Sequence, residues 1–164
     1  MLPFPALLLL FGAVLILQST VLGYIAVYGI KPDLILLLAV FNGFLLGPRQ
    51  GAFLGFAAGA VTDLFTGSYI GLNAISKMVA GYLAGICGER FYQDNALVLS
   101  GITFVCSIAG LLVDYLMLLS LGIQVNIFYG LFRVILPAAL YTAVLVPILY
   151  GRVFRYFKIK GREL

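Results

Sequence analysis

The chain has 164 residues, of which 63% are hydrophobic and only 10% charged, with a mean hydropathy of +1.15. This composition excludes an ordinary soluble domain and points to an integral membrane protein. The formal net charge of +4 resides in the C-terminal tail, where five basic residues outnumber the single Glu163, so it does not indicate a nucleic-acid partner.

In chain order, the apolar run Leu2 to Leu22 is long enough to span a bilayer. It has no Lys or Arg ahead of its apolar core, which argues for a retained first helix over a cleaved signal peptide. Lys31-Pro32-Asp33 restarts a helix, since proline is tolerated at a first helical position and an aspartate complements the positive end of the dipole. The second helix runs from about Pro32 to Leu46 and stops at Gly47-Pro48-Arg49. The third spans Gln50 to Phe65, the fourth Gly71 to Gly88, the fifth Ala96 to about Ser120 and the sixth Ile127 to Tyr150. The pattern predicts an all-α membrane protein, a six-transmembrane-helix bundle over residues 1–150 followed by a basic tail, 151–164. Short Gly, Pro and charge breaks separate the apolar runs and leave no room for a soluble catalytic domain. Helices two and three reach only ~21–24 Å against a ~30 Å hydrocarbon core. Either the apolar Tyr24 to Ile30 segment extends helix two beyond a proline kink, or the pair is a shallow hairpin packed inside the bundle.

Charge placement gives the expected orientation. Arg49, Arg90, Arg152, Arg155, Lys158, Lys160 and Arg162 fall on one side and Lys31 alone on the other, so the positive-inside rule places both termini in the cytoplasm. The tail interleaves its charges with Val153, Phe154, Tyr156 and Phe157, a composition suited to anionic lipids, although it also reads as a stop-transfer segment that fixes topology.

Four ionisable residues lie within the predicted spans: Asp63, Lys77, Asp114 and Arg133. A charge at bilayer depth costs several kcal/mol unless paired or wetted, so each is expected to face a partner or a cavity. Asp114 lies six residues before the end of helix five and Arg133 six residues after the start of helix six, each ~9 Å down. Matched depth pairs these two, and Asp63 and Lys77 come within reach around the Thr66 to Ile70 turn. Both pairs belong to the outer half of the bundle, as neutralised register pins or as the lining of a cavity or partner-docking site. Pro137 frees the carbonyl of Arg133 and favours a kink there. Asn73 could satisfy further donors near Lys77, and Asn42 suits an interhelical hydrogen bond.

Gly51, Gly55 and Gly59 recur at every fourth position on helix three, and helix four answers with Gly81, Gly85 and Gly88. Such smooth faces allow close helix approach, either between these two helices or against another protein.

No histidine is present, which removes the usual zinc ligands and the commonest general base. Cys87 and Cys106 lack a ligand spacing and read as small buried side chains, so no cofactor or metal is implied. Asp63 and Asp114 could form an intramembrane protease dyad as in lipoprotein signal peptidase, but each has a basic residue nearer in the topology, and the asparagine-flanked and GxGD motifs of such enzymes are missing. The reading is therefore of a protein that is not an enzyme.

The run Lys31-Pro32-Asp33-Leu34-Ile35-Leu36, then Gly47-Pro48-Arg49-Gln50-Gly51-Ala52, Gly55-Phe56, Gly59, Asp63-Leu64, Gly67, Gly71-Leu72-Asn73-Ala74 and Gly81-Tyr82-Leu83-Ala84-Gly85 resembles the bacterial rod shape-determining protein MreD family. Gln18-Ser19-Thr20 fits as well. The specific positions lie between residues 18 and 85, and helices five and six match mainly in character. The resemblance implies a multi-pass protein of the bacterial inner membrane that acts as a scaffold of the cell-elongation machinery. Its partners would be the single-span MreC and, indirectly, the MreB filament and the RodA–transpeptidase complex that makes peptidoglycan. It also implies a fold similar to the S-components of energy-coupling-factor transporters. A substrate-binding S-component of a vitamin transporter is the alternative, although Ala6 and Ala13 lack the Ala-x-x-x-Ala spacing such subunits offer to their transport partner.

Overall fold

A computed structural model describes residues 4–20, 31–67, 69–91, 95–123 and 126–160 of the chain, and among them it contains helices and turns only. The helices are α1 (Phe4–Thr20), α2 (Leu34–Leu46), α3 (Pro48–Thr66), α4 (Leu72–Arg90), α5 (Ala96–Ser120), α6 (Ile127–Gly130) and α7 (Leu136–Lys160). A π-helical turn, Leu131–Ile135, joins α6 to α7, so these three elements form one continuous sixth rod.

The short second helix is the hub of the bundle. Ile35, Leu36, Leu37, Ala39, Val40, Phe41 and Phe44 are all at most 2% exposed, so α2 is covered all round. A helix that is apolar on every face has to be wrapped by others, and α1, α3, α4, α5 and α7 all touch it. Its 13 residues reach only ~20 Å, less than the hydrocarbon thickness. Tyr24 to Ile30, the candidate extension of this helix, lies outside the described residues.

A single residue, Gly47, connects α2 to α3. Its φ of 94° is open to glycine and costly for other residues, and its N–H closes α2 onto the carbonyl of Gly43 at 2.8 Å. Pro48 then occupies the first helical position, where its missing N–H is no loss, so α3 starts two residues before the expected Gln50. With no slack at the turn, α2 and α3 are held side by side.

Glycine brings α2, α3 and α4 together until backbones touch. A Cβ added at Gly51 would run into the backbones of Gly43 and Gly81, one at Gly55 into the Lys77 carbonyl, and one at Gly59 into Asn73 and Ala74. Gly85 abuts Pro48, and Gly88 abuts the backbone of Phe44. In the absence of a hydrophobic drive inside lipid, such close van der Waals packing is what holds membrane helices together. The glycine faces of α3 and α4 are thus turned inward, against each other and against α2.

The outer layer is made by α5 and α7. α5 approaches α4 at Gly110, near the carbonyl of Ser76, and Leu99, Ile102 and Cys106 join Val40, Phe44, Ala80 and Val146 in the main apolar cluster. Outward, Val105, Leu112 and Leu116 of α5 and Leu140, Val144 and Ile148 of α7 are exposed. These two rods, Ala96–Ser120 and Phe128–Ile148, are long and apolar enough to cross a membrane. At the level of Arg133, where Pro137 favours a kink, the structure has the π turn, in which the Leu136 N–H donates to the Leu131 carbonyl. Beyond it the helix passes through Pro147 and continues to Lys160, past the expected end at Tyr150.

Candidate functional site

The start of α2 is buried inside the bundle, where its unpaired amides need acceptors. Asp33 supplies one as the N-cap: Oδ1 accepts from the amides of Ile35 at 3.0 Å and Leu36 at 2.9 Å. Gln18 of α1 supplies another, its Oε1 accepting from Leu34 at 3.0 Å and Ile35 at 3.3 Å. The amide of Asp33 donates to the Thr142 hydroxyl of α7 at 3.2 Å. Three helices therefore meet at one helix end.

Oδ2 of Asp33 is left for the ammonium of Lys77, which lies 3.0 Å away in the middle of the bundle with its side chain 1% exposed. Lys77 also donates to Oδ1 of Asn73 at 2.6 Å. Asn73 in turn donates through Nδ2 to Asp63 at 2.9 Å. Asp63 completes the chain by capping α4 from outside: its carboxylate accepts from the amides of Gly71 at 2.9 Å, Asn73 at 3.1 Å and Ala74 at 3.1 Å. Gly71, at φ 104°, turns the chain so that these amides converge on it. The network Asp33–Lys77–Asn73–Asp63 thus stitches α2, α3 and α4 together, and charge-assisted hydrogen bonds of this kind are the strong ones.

The expected pairings are corrected accordingly. The ion pair of Lys77 runs to Asp33, and Asp63 reaches it through Asn73. Asp114 and Arg133 form no ion pair with each other: Arg133 is exposed on the π turn with its guanidinium over the Tyr129 ring, 5.6 Å from the centroid. Asp114 instead lies beside Ser76 and within the field of Lys77, and its Oδ1 is buried with no hydrogen-bond partner. Matched depth along two helices sets height alone, whereas the rotation of each helix decides which side chains meet. Asn42 donates to Leu38 of its own helix at 2.8 Å, not to a neighbouring helix. With several donors converging on it, the carboxylate of Asp63 is engaged as a helix cap, which counts against a dyad with Asp114.

Next to this network a cleft of about 1170 Å³ opens between α1, α2, α5 and the sixth rod. Lys31, Tyr129 and Arg133 lie at it together with Gln18, Asp33 and Thr142, and its walls are apolar, with Leu36, Leu111, Phe132 and Leu140 among them. Ser107 also lines it, and its hydroxyl is buried and unpartnered. Among the residues that bear on the site, Asp33 read in the sequence as a helix-start residue and Gln18 only as part of a resemblance. Thr142 and Ser107 carried no signal. An aspartate directly ahead of an apolar helix is an N-cap signature, and together with a lysine inside another helix it is the signal that could have led to Asp33.

A family model described as rod shape-determining protein MreD matches residues 1–160, nearly the whole chain. No curated protein and no solved structure matches. The chain belongs to the MreD family.

Proposed function

As a member of the MreD family this membrane protein has a role in determining rod shape, and we propose that it does so as a non-enzymatic scaffold of six helices that binds the transmembrane helix of an MreC-like partner. Through that partner it would help to localise peptidoglycan synthesis, with the MreB filament and the RodA–transpeptidase complex as indirect partners. The orientation proposed has both termini in the cytoplasm, because seven of the eight basic residues outside the spans lie on one side.

The observation that carries the scaffold reading is the use made of the buried charges. Asp33 and Asp63 hold the starts of α2 and α4, and Lys77 links them through Asn73. These groups link α2, α3 and α4 to one another. The test is affinity purification in mild detergent. An MreC-like protein should be recovered with the chain, and recovery of an ATPase-linked transport module in its place would favour the S-component reading, to which a large cleft is also suited.

A further inference from the structure

We infer that the cleft between α2, α5 and the sixth rod is a binding site for an anionic phospholipid, with the phosphate held by Lys31 and Arg133 and an acyl chain laid along the apolar wall.

Charge is the first reason. Three charged residues line the cleft: Lys31, Asp33 and Arg133. Asp33 already engages Lys77 and two backbone amides, so its charge is balanced from within the bundle. Lys31 and Arg133 have no carboxylate partner among the described residues, and the cleft therefore presents uncompensated positive charge. Arg133 rests on the face of Tyr129, which orients the guanidinium while leaving its N–H groups for an anion. A planar guanidinium matches the geometry of phosphate oxygens and binds them through paired N–H groups.

Shape and polarity are the second. The volume, about 1170 Å³, exceeds the ~300–1,000 Å³ of common small-molecule pockets. Leu36, Leu111, Phe132 and Leu140 offer a wall that a free polar anion would leave bare. An amphiphile covers both parts.

The third reason is Ser107. The residue lines the cleft and is only 1% exposed, and its buried hydroxyl has no partner. Buried hydroxyls are normally satisfied, and a lipid's phosphate or ester oxygen would accept from this one. The π turn fits the same picture, since such turns recur where a helix is reshaped around a site, and here it sets Arg133 at the cleft.

The test is native mass spectrometry of the full chain purified from nanodiscs containing equal phosphatidylglycerol and phosphatidylcholine. One phosphatidylglycerol per chain should survive detergent exchange that strips phosphatidylcholine. Lys31→Gln and Arg133→Gln should each lower retention by about tenfold, the loss expected of a charge-assisted contact, and Ser107→Ala by a smaller factor. Lys31 is exposed and outside the helices, so Lys31→Gln remains informative if variants in the π turn fold poorly. Equal retention of the two lipids, or retention unchanged by Lys31→Gln and Arg133→Gln, would overturn the proposal. Displacement of the lipid by inorganic phosphate would replace it with a free-anion site.

Discussion

The two sides of this bundle treat polar groups in opposite ways. Around α2, α3 and α4 the backbones meet across glycine and the buried charges have partners at hydrogen-bond distance: Asp63 caps α4, and Lys77 sits between Asp33 and Asn73. On the side of α5 and the sixth rod, Arg133 is exposed on a π turn, Ser107 and Asp114 each bury an unpartnered oxygen, and a cleft stands open. An intramembrane charge is a mark of function by default. In this molecule the partners decide: the satisfied charges build the fold, whereas Arg133, without a carboxylate partner among the described residues, stands at the open cleft.

The contrast can be broken by substitution, most severely on the tight side. Lys77→Met removes one partner of a buried pair, and breaking such pairs costs about 3–5 kcal/mol. The lower end is expected because Asp33 keeps its two amide donors, and thermal unfolding in detergent measures it. Asp63→Ala should cost about 2–3 kcal/mol by stranding the donors at the start of α4, whereas Asp63→Asn keeps an acceptor there and should lose less. On the open side the effects should be small. Arg133→Gln should shift stability by no more than about 0.5 kcal/mol, as an exposed residue does. Combined with Asp114→Asn it should be additive within about 0.5 kcal/mol, since the two share no partner. A coupling well above that would mean that the two charges do meet and that the two sides of the bundle do not differ as described.

Much of the helix layout was legible in the sequence because punctuation residues set it: Gly47-Pro48 ends α2, Gly67 and Gly71 bracket the α3–α4 turn, and Asn95 caps α5. The sixth rod ran past its expected end because Arg and Lys are good helix formers and Pro147 did not stop it. The charged residues were visible as well, but their partners were not. Depth follows from counting residues along a helix, while azimuth depends on how α5 and the sixth rod rotate against α4. That rotation turned Arg133 outward onto Tyr129 and set Asp114 beside Ser76. The direct partner of Lys77 was Asp33, which the sequence showed only as a helix-start residue next to proline. The glycine faces were equally visible, and the sequence left open whether they met inside the chain or on its surface. Gly43, which no spacing singled out, completes the contact with Gly51 and Gly81.

The claim that the buried charges serve the fold and not the activity is tested most directly by the double variant Asp33→Asn, Lys77→Met. Asparagine can still cap α2, and no charge is left stranded. The variant should recover most of the stability lost by Lys77→Met alone, and it should restore rod shape when expressed in a rod-shaped strain lacking its own MreD-family protein. A double variant that unfolds like the native protein but leaves the cells round would contradict the account and place the Asp33–Lys77 pair in the working site.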